Sequence, residues 1–310
     1  MDQFVLIAKA ARVTQWVKNI VIFAPIVFSG FLLVPGYLGK VSVACLLFCL
    51  LSSAVYLLND LVDIKADREH PYKRKRPVAS GAIPLPTVIM MFTTLGVGSL
   101  FLAYLNSTFL FVAMLGYLAL NIAYSLWWKK VPILDVFSIA AGFVIRVYAG
   151  AFIINVHMDV WFLLTVVSAS LFLAVGKRRS EMTLLSGAGN ELFKSRTTLM
   201  HYTPALLDAY TSMFANTTWL TYALFSFLHP PFKAEGRVLK VFSLLPTTLL
   251  AEKWLMVTVP LVIYGVMRYM QLIYEKNQGE SPHKVLMTDV PLIAVVGVWG
   301  VLVIGILYFT

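Results

Sequence analysis

Residues 59–81 read NDLVDIKADREHPYKRKRPVASG and set three carboxylates, Asp60, Asp63 and Asp67, at i, i+3 and i+7. On an α-helix that spacing puts all three on one face. Asn59 adds a neutral oxygen one turn before Asp63. Such oxygens hold hard cations such as Mg2+, and the cation bridges onward to phosphate oxygens. Arg68, Lys73, Arg74, Lys75 and Arg76 follow within nine residues, with Pro71 and Pro77 breaking any helix there. Lys and Arg are the side chains that neutralise phosphate charge. The pattern predicts a Mg2+ centre on Asn59, Asp60, Asp63 and Asp67, backed by a cationic loop for a phosphorylated ligand. A solvated loop obeying the positive-inside rule explains the basic residues but not three carboxylates on one face. His70 either bonds phosphate or orders the turn.

The elements that must position this motif are membrane helices, because it directly follows an apolar run ending at Leu58. The chain is 59% hydrophobic and 13% charged, with mean hydropathy +0.81; soluble domains carry about a quarter charged residues. That composition excludes an ordinary soluble enzyme. Nine apolar runs approach the roughly 20 residues that a crossing needs: 16–34, 41–58, 87–104, 109–127, 133–154, 160–176, 205–228, 252–273 and 287–309, the second and sixth being short. The N-terminal stretch MDQFVLIAKAARVTQW has basic residues inside its first apolar segment, so that segment is expected to stay as a membrane helix rather than be cleaved. Nineteen of the 25 basic residues fall in loops on one side of such a bundle, five on the other, and Arg146 lies mid-helix. This bias predicts a cytoplasmic N-terminus. It also accounts for the net charge of +10 without nucleic acid. The 229–251 loop, with Lys233, Arg237 and Lys240, dissents and reads as an interfacial segment. Cys45 and Cys49 are one helical turn apart in an apolar run and read as packed thiols. No linker or soluble domain interrupts residues 1–310, so one transmembrane domain is expected.

A second charged constellation, GKRRSEM at 176–182, closes the sixth run. Lys177 and Glu181 are i,i+4, and Arg178 and Glu181 are i,i+3. A surface ion pair at a helix end is the plain alternative. The position, in the other large cytoplasmic loop, favours a second anion-binding site. A third set lies in or beside the membrane: Gln15, Lys18 and Asn19 at the first run, and Lys130, Asp135 and Arg146 at the fifth. Intramembrane ionisable groups are functional candidates by default. Asp135 and Arg146 are three helical turns apart and share a face. Lys18 either snorkels or binds, whereas Arg146 is too deep to snorkel and calls for a carboxylate or a ligand phosphate. Tyr124, Trp127, Trp128, Trp161, Trp219 and Trp254 fall near helix ends, where an interfacial aromatic belt accounts for them.

NDxxDxxxD at the end of the second of nine membrane helices resembles the UbiA prenyltransferase superfamily, in which the first Asp-rich motif binds Mg2+–diphosphate. That resemblance implies an all-α nine-helix transmembrane bundle with its active site at the cytoplasmic side. Where quinone- and haem-pathway members carry a second aspartate cluster, this chain has GKRRSEM. That departure counts against aromatic prenyl transfer. It is similar instead to the decaprenyl-phosphate phosphoribosyltransferase branch, as are QWVKN (15–19), HPYKRKRPVASG (70–81), GFVIRVYAGAF (142–152) and RY…GESPHKVLMTDVPL (268–292).

The branch implies transfer of phosphoribosyl from phosphoribosyl diphosphate to a polyprenyl phosphate in the plasma membrane, three anionic centres meeting in one site. On that resemblance Asp60, Asp63 and Asp67, with Asn59, hold Mg2+ on the leaving diphosphate. Lys73, Arg74 and Arg76 clamp donor phosphates, Lys177 and Arg178 take further phosphate oxygens with Glu181 orienting them, and Lys18 and Arg146 receive the lipid phosphate. Tyr124 joins the substrate-binding set. Two alternatives stay open: prenyl transfer to a small aromatic acceptor, using the same first motif, and a transporter or scaffold with a charged gate. The reading admits a homo-oligomer and leaves isoprenoid length unset.

Overall fold

The computed structural model describes residues 3–69, 73–186, 199, 201–229, 253–275, 285 and 287–309. His70 and nearly all of the 229–251 loop lie outside them. The described residues are helical, without a strand, and the all-α expectation is met. The helices are α1 (Gln3–Ala10), α2 (Ala24–Phe28, continuing a 3-10 segment Val13–Phe23), α3 (Tyr37–Val62), α4 (Ile64–Glu69), α5 (Leu85–Asn106), α6 (Thr108–Leu126), α7 (Leu134–Ile154), α8 (Val160–Ser186), α9 (Pro204–Leu228), α10 (Val259–Tyr274, after a 3-10 turn Trp254–Thr258) and α11 (Val290–Phe309).

Among the described residues seven helices are long and apolar enough to cross a membrane: α3, α5, α6, α7, α8, α10 with its 3-10 turn, and α11. The chain is therefore a multi-pass membrane protein. The expected count of nine would add two further elements. Val13–Phe28 is shorter than the expected 16–34. Eleven of its residues are 3-10, rising about 2.0 Å each, so with five α residues it reaches about 30 Å, the hydrocarbon thickness. The 25-residue α9 falls outside the seven, because Asn216 and a series of threonines dilute its hydropathy. Thr211, Thr217, Thr218 and Thr221 turn their hydroxyls back onto carbonyls one turn earlier, which satisfies them within the helix. The runs at 41–58 and 160–176 are short only in hydropathy: α3 and α8 continue past them to Val62 and Ser186. Both charged motifs thus begin on helical extensions of membrane spans.

The chain forms two compact units. The first comprises residues 1–26, 33–157 and 185–203. Here α3 packs against α5, α7 and the 3-10 segment, and α6 lies along α7. Asn19 Nδ2 donates to Cys49 Sγ at 3.2 Å, and both cysteines are free thiols, as expected. Below the Asp-rich motif, Ala10, Leu57, Val78, Ile83 and Val88 form an apolar cluster. It seats α1 and the 77–83 turn against α3. The second unit comprises residues 27–32, 158–184 and 204–310. Its core joins Phe172 of α8, Ala215 of α9, Tyr269, Leu272 and Ile273 of α10, and Leu292 of α11. Exposed apolar side chains such as Val97, Phe109, Val290 and Val301 suit contact with lipid.

Candidate active site

The Asp-rich motif sits where α3 ends. Asp63 is the C-cap of α3, with φ −93° and ψ 7°, and α4 starts at Ile64. The three aspartates therefore do not ride one unbroken helix, and the expected common face splits. Asp60 and Asp67, both buried, turn to the same cation: Arg76 Nη1 donates to Asp60 Oδ1 at 3.2 Å and to Asp67 Oδ2 at 2.6 Å. Arg12 also pairs with Asp60 Oδ1, and Lys73 Nζ lies 4.0 Å from Asp67 Oδ1. Asp63 instead pairs with Lys129, which follows α6. The Asn59 side-chain oxygen accepts from Ser125 at 3.2 Å.

The donor set suits a hard divalent cation in part. Two buried carboxylates already converge on a single positively charged nitrogen, a position that an oxygen-seeking ion fits. Among the described residues no three His, Cys, Asp or Glu side chains gather closely enough to hold a metal, because the bend at Asp63 sends the third carboxylate to Lys129. The expected four-ligand Mg2+ set is thus drawn together at Asp60 and Asp67, with Asp63 and Asn59 on other partners.

The cationic loop divides into structural and accessible members. Arg68 Nε donates to the Ala79 carbonyl at 3.0 Å, tying the 77–83 turn to α4. Gly81 adopts φ 76° there, a conformation that side chains disfavour. Lys73 and Arg76 face the aspartates, while Arg74 and Lys75 are exposed. Two cations that the motif itself does not reveal join the site. Arg12 has the left-handed backbone (φ 50°, ψ 47°) between α1 and the 3-10 segment, and its guanidinium lies 5.0 Å from the Tyr56 ring. Lys129 is the other. Their only sequence signal is a basic residue in a short loop on the motif's side of the membrane. Tyr124 is half-buried one residue before Ser125.

Deeper in this unit, Lys18 Nζ donates to Gln15 Oε1 at 2.9 Å and lies 6.0 Å from the Tyr56 ring. Arg146 is buried in α7, and among the described residues it pairs with no carboxylate, Asp135 included. Its Nε donates to Asn19 Oδ1 at 2.6 Å, Nη1 to the Gly142 carbonyl at 2.8 Å and Nη2 to Tyr117 Oη at 2.7 Å. Three neutral oxygens take three of the guanidinium's five donors, and the Tyr117 ring lies 4.5 Å away, so its charge is left without a paired anion among the described residues. Arg146 braces α7 to α6 and the 3-10 segment. Arg146→Lys cannot reproduce that fork and is expected to lower the thermal midpoint in detergent by several degrees. An unchanged midpoint with a raised KM for lipid phosphate would instead make Arg146 a substrate contact.

In the second unit, Arg178 Nη1 donates to Glu181 Oε2 at 2.7 Å, and Lys177 Nζ lies 3.7 Å from Glu181 Oε1. The predicted i,i+3 and i,i+4 pairs are formed. Arg178 and Glu181 are each only 5% exposed, which a surface ion pair is not. Arg179 turns the other way, to Asp208 at 2.5 Å, and Tyr274 donates to the same carboxylate at 3.0 Å. Arg268 grips Asp289 through Nε and Nη2 at 3.1 and 2.8 Å. Asp208 and Tyr274 carry no distinguishing sequence signal, whereas Arg268 and Asp289 both fall in the RY…GESPHKVLMTDVPL segment (268–292).

The model of the UbiA prenyltransferase family matches residues 22–290. The decaprenyl-phosphate phosphoribosyltransferase of Corynebacterium glutamicum is 31% identical over 304 residues, 97% of this chain and 86% of that protein. The protein of the same name from Mycobacterium tuberculosis H37Rv is 36% identical over 225 residues, 71% of this chain and 74% of its own. Among solved structures, a UbiA homolog from Archaeoglobus fulgidus bound to GPP and Mg2+ superposes with TM-score 0.69 at 19% identity. The match covers 97% of this chain and 99% of that one, and shows a shared fold.

Proposed function

We propose that this chain, which belongs to the UbiA prenyltransferase family, transfers the 5-phosphoribosyl group of phosphoribosyl diphosphate to a polyprenyl phosphate and releases diphosphate. The observation that carries this reading is the concentration of cations around two convergent buried carboxylates, Arg12, Lys73 and Arg76 on Asp60 and Asp67. Likeness to proteins named decaprenyl-phosphate phosphoribosyltransferase, one of them over 97% of this chain, supports it. Asp60 and Asp67, joined by Asp63 and Asn59, would hold Mg2+, which neutralises charge gathering on the departing diphosphate. Arg76 and Lys73 are already at these carboxylates, so a bound diphosphate meets them without long reorganisation. Arg12, Lys129, Arg74 and Tyr124 complete the donor side. In the second unit, Lys177 and Arg178, with Glu181 orienting them, bind phosphate oxygens. Lys18 meets the lipid phosphate, and Arg146 adds positive potential behind it.

The acceptor phosphate oxygen attacks ribose C1 as the C1–O bond to diphosphate breaks, on the opposite face, and the anomeric configuration inverts. A phosphate monoester is already anionic at neutral pH, so no strong general base is required. The basic-residue bias supports an active site on the cytoplasmic side of the plasma membrane.

The test is transfer of label from phosphoribosyl diphosphate into polyprenyl phosphate by purified protein in detergent, with and without EDTA. Label should enter the organic phase only with Mg2+. No transfer, together with prenylation of an aromatic acid from prenyl diphosphate, would overturn the donor assignment.

A further inference from the structure

Between α6 and α7 the chain turns sharply through residues 127–134. Trp128–Lys130 make one 3-10 turn, Lys130 N–H donates to the Trp127 carbonyl at 3.1 Å, and Val131 N–H to Trp128 at 3.1 Å. Leu134 N–H then donates back only two residues, to Pro132 at 2.8 Å. This closes a γ-turn whose central residue is Ile133, at φ 70° and ψ −50°. For a β-branched residue that backbone is a genuine outlier. Such strain persists only where the surroundings over-determine it.

The surroundings here include Tyr202, a buried side chain from well over sixty residues further along. Its hydroxyl accepts from the Ile133 N–H at 2.6 Å and donates to Asp135 Oδ1 at 2.8 Å. Asp135 is fully buried in the first turn of α7, and its own N–H donates to Val131 at 3.2 Å. One hydroxyl thus ties the strained residue to the helix that follows. Four residues before the centre of the γ-turn stands Lys129, the cation opposite Asp63.

We propose that Tyr202 is a positioning residue, whose hydroxyl pins the Ile133 γ-turn and thereby sets Lys129 at the diphosphate site. The inference rests on the proposed diphosphate site, but not on which diphosphate is the donor. Free of the pin, Ile133 relaxes to an ordinary backbone conformation, α7 starts differently, and Lys129 loses its register against Asp63. Asp135, expected from its sequence position to serve a substrate or pair with Arg146, is on this account the anchor of the pin.

The probe is inorganic diphosphate with Mg2+, titrated calorimetrically into the purified protein in detergent. Tyr202→Phe keeps the buried ring and removes both hydrogen bonds, and it should weaken binding about tenfold, the scale of one lost charge-assisted hydrogen bond. Lys129→Ala should weaken it at least as much, and Lys129→Ala/Tyr202→Phe no further, since Tyr202 acts through Lys129. Ile133→Gly makes positive φ accessible, so Ile133→Gly/Tyr202→Phe should recover most of the loss. Wild-type affinity in Tyr202→Phe, additive losses in the Lys129 double variant, or no recovery in Ile133→Gly/Tyr202→Phe each overturns the proposal. Should Tyr202→Phe fail to fold, Ile133→Gly and Ile133→Gly/Tyr202→Phe should bind alike, and a tenfold gap between them overturns it. Wild-type protein that binds diphosphate but transfers no phosphoribosyl group removes the donor assignment alone, and the Tyr202 comparison still decides this proposal. Wild-type protein that binds no diphosphate overturns both.

Discussion

Asp60→Asn and Asp67→Asn should each lower phosphoribosyl transfer by on the order of a thousandfold or more, the size of several kcal/mol of lost charge stabilisation at a leaving group. The amides keep the shape of the carboxylates and still accept hydrogen bonds from Arg12 and Arg76, so the fold should survive. What they lose is the charge that binds a hard cation. The competing account makes the aspartates mere anchors for Arg76 and Arg12. Breaking a buried ion pair costs roughly 3–5 kcal/mol of stability under either account, so the anchor account is set apart by near-normal turnover in the protein that remains folded. Turnover per folded protein separates the two, and a Mg2+ titration adds a second readout: a raised Mg2+ requirement in the Asn variants belongs to ligands, not anchors. Asp63→Ala should abolish turnover with the protein still folded. It is the sharper test of the third carboxylate, because Asp63 faces Lys129 rather than Arg76. A loss no deeper than that of Lys129→Ala would reduce Asp63 to the partner of that lysine.

Asp63 also shows where sequence reading stops. Spacing at i, i+3 and i+7 assumes a continuous helix, and nothing in NDLVDIKAD marks a break; Leu57, Leu61 and Ile64, from both sides of the break, pack on the cluster around Val78 and Val88, tertiary contacts that local spacing does not carry. Local charge spacing was legible where both partners lie on one helix, as with Lys177, Arg178 and Glu181. It was not legible where the partner comes from far along the chain, as with Arg12 on Asp60, Lys129 on Asp63 and Arg179 on Asp208. A lone basic residue in a short loop looks the same whether it follows the positive-inside rule or faces a substrate. Arg146 was legible by depth, but not its partners, because Asn19, Tyr117 and a backbone carbonyl carry no charge to match against it. Helix order followed from hydropathy. Helix ends did not, since hydropathy stops at the first charged residue while α3 and α8 go on for at least another turn.

Gly150→Ala should be the most damaging single-methyl change in the first unit. A Cβ at Gly150 would stand 2.0 Å from the Ile22 carbonyl oxygen and 3.0 Å from its carbon. Those atoms are backbone, so no rotamer change relieves the clash, and α7 must move away from the 3-10 segment. Small residues allow such close approach between membrane helices, where packing rather than water exclusion holds them together. Overpacking alone costs about 1–3 kcal/mol, occasionally more. Here the movement also pulls Arg146, on α7, from Asn19, on the 3-10 segment, leaving a buried guanidinium without one of its acceptors, a further cost of about 1–3 kcal/mol. The variant should therefore show a thermal midpoint lowered by roughly 5 °C or more, and it should lose transfer activity because Lys18 and Asn19 shift together. Gly116→Ala is the control: its Cβ would meet nothing within 4 Å, and it should match wild type in both measurements. Equal stability of the two variants would mean that α7 and the 3-10 segment do not touch at Gly150, and the brace assigned to Arg146 would fall with that contact.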